Sequence, residues 1–394
     1  MYTRHEYEAC LAAIEAQLAE TNGMSEYPLY IKGLIRRQQG AIQESLELFQ
    51  AATALDPQNM ANLKQVGRSL YLLGKHKAAY DVYEEAQRGL ENDDWEVWHN
   101  KGLCCVHMKQ LDKAVFCFRK ANELQPHDST FTQLGKVFTM QERFREAIEV
   151  YVDALEFSPE NPEFLTTIGL LYLRLGDNLR AFDFLQTSLT HDPKNPKSIL
   201  AAGSIIQDHQ DMDVALMKYR VAAVQMPNSA QLWNNIGMCF FGKQRFIAAI
   251  ACLKKALYFE PFEWIISYNL GLVHLNTGQY ASSFHYFSAS INLKSDFASS
   301  YMYLGITLTK LDDFENACAA YEKAIELERD HVFFLNYAAT LANHGEYEKA
   351  KRQYIEFAKI FKGLDDADKA KTDPDLVELH RSVKSVLEHI LAPS

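Results

Sequence analysis

The stretch WNNIGMCFFGKQRFIAAIACLKKALYFEP, residues 233–261, decides the fold. Gly237 is followed twelve residues on by Ala249, sixteen on by the bulky Leu253, nineteen on by Ala256 and twenty-four on by Pro261. Small residues at such intervals let two antiparallel helices approach, and the large side chain fills the space beside them. Proline cannot continue a helix, so it closes the second one and opens the next unit.

The same beat runs outward in both directions. Gly33, Gly67, Gly102, Gly135, Gly169, Gly203, Gly237, Gly271 and Gly305 recur every 33 to 35 residues. The position twelve on is always small, from Ser45 and Ala79 through Ser283 and Ala317. The position sixteen on is always large: Phe49, Tyr83, Phe118, Tyr151, Leu185, Tyr219, Leu253, Phe287 and Tyr321. The position nineteen on is small again, from Ala52 to Ala324. This resembles the tetratricopeptide repeat, a helix-turn-helix unit that buries its apolar face only by stacking on neighbours. The expected fold is all-α, a right-handed superhelical solenoid of about ten helical pairs with terminal capping helices. First helices line its concave side, and no domain break interrupts the stack. A four-residue connection such as Gly74-Lys75-His76-Lys77 joins the helices of a pair.

The ends depart from the beat. Residues 1–25 hold a lone second-type helix, Glu6 to Glu20, with Ala9, Ala13 and Ala16 on one stripe and its partner missing. The chain is expected to begin further upstream in the natural protein. The array proper covers 26–364, with a looser tenth unit in which Ala338 stands for the glycine, Ala350 falls twelve on and Tyr354 sixteen on. Residues 365–394 comprise a polar linker and a capping helix, Asp375 to Leu391, opened by Pro374. Leu376, Leu379, Val383, Val386, Leu387 and Ile390 keep helical spacing there and cover the last exposed core face.

Composition excludes several classes. A net charge of −11 gives no general attraction for nucleic acid or anionic lipid. Arg36, Arg37, Lys64 and Arg68 form a local basic group that reads as solvated helix surface. The seven cysteines show no CxxC spacing, which fits reduced thiols rather than a disulfide framework or metal site. No signal-type or membrane-spanning apolar run is present, so membrane insertion is not expected and the cytoplasm is.

No catalytic, cofactor or metal motif is found, so the chain is not expected to be an enzyme. The thirteen histidines are scattered, and His274 reads as helix packing. Acidic pairs Asp93-Asp94, Asp312-Asp313 and Asp365-Asp366 fall at turns, where they accept helix amides. Six residues are candidates for partner contact. Lys64 and Asn100 partly match a carboxylate clamp of such arrays, but Ser129 and Gln133 stand where its further basic residues are needed. Arg68 belongs to the basic group. Asn235 and Asn269, with Asn100 and Asn336, lie two before the small lattice residue, as in an asparagine ladder. Trp264, like Trp95, is off the lattice, and exposed aromatics anchor interfaces.

At the level of words rather than lattice, the chain resembles the Bardet-Biedl syndrome 4 family. NLKQVGRSLYLLGKHKAA (62–79), ILAAGSIIQDHQDMDVALMKYRVAA (199–223), WNNIGMCFFGKQRFIAAIACLKKA (233–256) and YNLGLVHLNTGQYASSFHYFSASINL (268–293) carry the likeness. That family has a longer N-terminal lead-in and a polar C-terminal tail. The resemblance implies a non-catalytic subunit of the BBSome, a coat-like complex that moves membrane proteins to and from cilia. It implies other BBSome subunits as partners, and also pericentriolar satellite proteins, dynein-dynactin and ciliary membrane cargo. Cilium, basal body and centrosome are the implied locations. Two alternatives compete: a stand-alone peptide-groove adaptor for chaperones or motor cargo, and the regulatory array of an enzyme.

Overall fold

The computed structural model describes residues 7–89, 93–363 and 374–391. The described residues form twenty-two α-helices and no strand. The chain divides into two compact units, Met1–Ser198 and Ile199–Ser394.

The first unit runs α1 (Tyr7–Glu20), α2 (Glu26–Gln38), α3 (Ile42–Leu55), α4 (Met60–Leu72), α5 (His76–Gly89), α6 (Trp95–His107), α7 (Leu111–Leu124), α8 (Asp128–Met140), α9 (Phe144–Phe157), α10 (Pro162–Arg174) and α11 (Asn178–His191). Helix α12 (Pro196–Asp208) contains the boundary. The second unit continues with α13 (Met212–Gln225), α14 (Ala230–Gly242), α15 (Phe246–Phe259), α16 (Trp264–Asn276), α17 (Tyr280–Leu293), α18 (Ala298–Lys310), α19 (Phe314–Leu327), α20 (His331–Asn343), α21 (Tyr347–Lys362) and α22 (Pro374–Leu391).

The repeat is a steric device. A methyl placed on each of the nine glycines would strike the large side chain sixteen residues on: Gly33 meets Phe49, Gly102 meets Phe118, Gly135 meets Tyr151 and Gly237 meets Leu253. The approach is tightest at Gly135, where that methyl would lie 2.4 Å from the Tyr151 ring, and loosest at Gly305, at 3.0 Å from Tyr321. Ala338 takes the same place in the tenth pair and is fully buried. The rings are buried in turn, and each contributes roughly 1.5–3 kcal/mol of apolar burial. Where the small residue is serine, its hydroxyl is satisfied. Ser283 donates to the Gly271 carbonyl at 3.0 Å, and Ser188 lies 2.9 Å from Thr166 and 3.1 Å from Ser198.

The turn inside each pair has three residues, not four: α4 closes at Leu72, and His76 and Lys77 already belong to α5. The Lys75 amide donates to the Leu70 carbonyl and the Gly74 amide to that of Tyr71, both at 3.0 Å. That pattern requires a left-handed residue in the middle. Glycine supplies it at Gly40, Gly74, Gly176, Gly278 and Gly345, with φ between +72° and +89°. Lys109, Glu142, Gln210, Gln244 and Asp312 adopt it at φ +57° to +65°, despite their side chains. The asparagine or aspartate before a first helix caps it: Asn59 accepts from Ala61, and Asp94 from Glu96.

Two terminal features differ from the sequence reading. In α1 the alanine stripe Ala9, Ala13 and Ala16 is exposed. Cys10 and Ile14 are buried instead against Ile35, flanked by Leu11 and Leu18, because larger side chains withdraw more apolar area from water. In α22, Val383 and Leu387 enter the core of α18–α21, whereas Val386 is 37% exposed. His380 packs there among Tyr354, Phe357 and Phe361, which burial accompanies with a lowered pKa. The polar linker, Asp365-Asp366 and the Ile390 side chain lie outside the described residues.

Candidate protein-binding site

In the second unit the first helices α14 and α16 present a polar face. Asn269, on α16, donates from Nδ2 to Asn234 Oδ1 at 2.8 Å and is itself buried. Asn234 in turn donates to Asn235 Oδ1 at 3.4 Å, and Asn235 Nδ2 reaches the Tyr219 hydroxyl at 3.4 Å. Asn234 and Asn235 edge a cavity of about 340 Å³ with Gln231, Glu260, Glu263, Ile265 and Ile266 in its wall, and Asn269 holds Asn234 from behind. Side-chain amides both donate and accept, so this wall suits a polypeptide backbone, which offers both N–H and C=O. Asn336 bonds back to its own helix at Val332 O, so it takes no part.

Trp264 opens α16 beside this face, but it is half-buried rather than an exposed anchor. It packs on Phe297 at 4.6 Å and on Tyr268 at 6.5 Å, and the Lys294 ammonium lies 4.5 Å from its ring centre. Tyr268 is wedged between Phe287, Phe297 and Tyr303, and burial raises its pKa. Trp95 is likewise half-buried and stacks on His127 at 4.9 Å. Sequence spacing missed this because the covering rings come from the next unit.

In the first unit the basic group is largely internally paired. Lys64 Nζ holds Asp94 at 2.7 Å and Glu96 at 3.0 Å. Burial works against its charge, but the two carboxylates outweigh it and hold its pKa above the usual lysine range. Lys64 therefore ties α4 to α6 instead of waiting for a partner's carboxylate. Arg36 bonds Gln39 and Glu44, and Arg37 bonds Gln65. Arg68 is exposed, and Asn100 is half-buried. Lys101, which sequence reasoning did not single out, is 5% exposed. Its ammonium bonds Gln87 at 2.8 Å and lies over Tyr80 and Trp98 at 5.0 and 4.7 Å.

The titratable groups are those of a packed scaffold. Burial pushes the Cys104 and Cys239 thiols up to about 12, which leaves thiols rather than reactive thiolates. His274 stacks on Tyr286 and bonds Gln279 at 2.8 Å, with its pKa lowered by burial. Among the described residues, no group of three or more His, Cys, Asp or Glu is placed to hold a metal ion. No described helix is long and apolar enough to cross a membrane.

Tetratricopeptide repeat models match residues 30–94, 95–128, 230–263 and 298–331, and a TPR repeat model matches 135–176. The chain is 51% identical over 388 residues to BBSome complex member BBS4 of Mus musculus, covering 98% of this chain and 74% of that one. It is 50% identical to the Bos taurus protein of the same name over 98% and 75%. The Drosophila melanogaster homolog is 35% identical over 90% and 77%. Among solved structures, a tetratricopeptide repeat protein from Parabacteroides merdae matches with a TM-score of 0.52 at 17% identity, over 63% of this chain and 98% of its own. The APC/C hetero-tetramer Cut9-Hcn1 matches with a TM-score of 0.51 at 13% identity, over 97% and 94%. At those identities the two structures speak for the fold alone.

Proposed function

Because the chain belongs to the family of the BBSome complex member BBS4, we propose that it is a non-catalytic BBSome subunit that scaffolds the trafficking of membrane proteins to and from cilia. The supporting observation is identity near 50% along nearly the whole chain, combined with the paired helices of a repeat fold that commonly binds other proteins. Its partners are other BBSome subunits, with satellite proteins, dynein-dynactin and membrane cargo as further contacts. It works at the cilium, basal body and centrosome.

Affinity purification of the tagged chain from ciliated cells, followed by mass spectrometry, tests this. Sibling subunits in the eluate are the expected result. An eluate of chaperones alone, or of a single enzyme chain, contradicts it. The asparagine-walled cavity favours a second element of the same reading, in which an extended segment of a partner lies along α14 and α16. Asn234→Ala and Asn269→Ala should then weaken capture of one sibling subunit while leaving the melting temperature within a few degrees. Undiminished capture would remove that element.

A further inference from the structure

A second cavity lies in the first unit. It measures about 450 Å³ and is walled by α7, α8 and α9. Phe131, Leu134, Val150 and Phe157 give it an apolar lining. Phe157 stacks on Phe131 at 5.8 Å yet is 58% exposed, so the lining is open to a visitor. An apolar surface rimmed by polar residues marks an interaction site.

The rim is acidic. Glu146, Glu149, Asp153 and Glu156 follow one another along α9 at spacings of three, four and three, which places them on one face. They cover about 15 Å of helix, and Glu123 stands across on α7. Glu146 is paired with Arg143 and Glu123 with Lys120. Glu149, Asp153 and Glu156 have no ion pair among the described residues. Like charges three and four apart oppose helix formation. Arg145 on α9 lies four before Glu149, and Arg119 on α7 lines the same wall near Glu146, so the charge is offset at that end of the stripe and stands uncompensated at Asp153 and Glu156. In the same wall, Asn122 Oδ1 is buried without a hydrogen-bond donor.

We propose that this groove docks a basic amphipathic helix of a protein partner. Such a helix sets its apolar stripe on the phenylalanine lining and its lysines or arginines, three and four apart, against the α9 carboxylates. Nucleic acid and anionic lipid surfaces are repelled by the same carboxylates.

The test uses the full chain and a dye-labelled fourteen-residue helix of leucine and lysine, with its leucines on one face, read by fluorescence anisotropy. A scrambled peptide of identical composition is the control. The scramble should bind roughly tenfold more weakly, because docking needs the apolar stripe as well as the charge. The triple variant Glu149→Gln, Asp153→Asn, Glu156→Gln should weaken binding of the amphipathic peptide at least as much. That variant relieves repulsion, so its helix content should match the parent. Phe157→Ala should weaken it severalfold. Hydrogen exchange should slow in α7–α9 on binding. Equal affinity for the scramble overturns the proposal, as does an unchanged Kd for the triple variant or protection confined to other helices.

Discussion

Gly135→Ala probes the steric logic of the repeat most sharply. The added methyl would lie 2.4 Å from both Cε2 and Cζ of Tyr151 and 2.7 Å from its hydroxyl. An ordinary contact needs about 1 Å more. Tyr151 is 2% exposed, and its hydroxyl reaches the Thr132 carbonyl at 3.3 Å, so the ring has no free direction to yield. Helices α8 and α9 must separate instead. Overpacking of this kind costs about 1–3 kcal/mol. Alanine's better helix propensity returns about 0.8–1 kcal/mol. Gly135 makes the tightest of the nine contacts, so the upper half of that cost applies and the net is a loss of roughly 1–2 kcal/mol. For a unit of this size that lowers the midpoint by roughly 2–8 °C. Gly305→Ala is the control, because its methyl meets Tyr321 at 3.0 Å and propensity then nearly cancels the crowding. Thermal melts by circular dichroism give the ranking, and hydrogen exchange locates the loss, since repeat arrays yield locally. A Gly135→Ala chain that melts at or above the parent, or a Gly305→Ala chain that falls as far, would refute the reasoning.

Three further outcomes follow from the geometry. Gln244→Gly should stabilise by about 0.5–1 kcal/mol, because the left-handed turn costs a side-chain-bearing residue roughly 1–2 kcal/mol and glycine returns part of that in unfolded-state entropy; an unchanged denaturation midpoint contradicts it. Stability should fall with acidification from about pH 6.5 toward pH 4. Burial, helped by neighbouring His127, lowers the His99 pKa from 6.5 to about 4, so the unfolded chain binds more protons in that window. The contribution is fully present above pH 6.5, loses on the order of 2 kcal/mol by pH 5.0, and that loss should shrink in His99→Gln when urea midpoints at pH 7.5 and 5.0 are compared. Ending the chain before α22 should expose the α20–α21 core, seen as dye binding and aggregation, since Val383 and Leu387 complete that cluster; a well-behaved monomer would show that α22 is dispensable.

The fold was legible because a close helix contact admits few residue types. A methyl on Gly102 would come within 2.6 Å of the Phe118 ring, so steric need wrote itself into the spacing. The left-handed turn position was equally regular, seven residues after each lattice position. It was missed because only five of its ten occupants are glycine, and the Schellman hydrogen bonds force the other five. The contact candidates were less legible. Lys64 and Trp264 find their partners in the following unit, at Asp94 and Phe297, and spacing does not say which side chains a neighbour presents. The α1 alanines misled because small residues mark a close contact only when a knob faces them, and Cys10 and Ile14 supplied the better face.

Membership of a larger assembly is the central claim, and the mass of that assembly tests it directly. The purified 45.0 kDa chain, mixed with the remaining BBSome subunits and weighed by native mass spectrometry, should add one copy of itself to the complex. A complex that forms without it, leaving the chain at its own mass, would contradict the account.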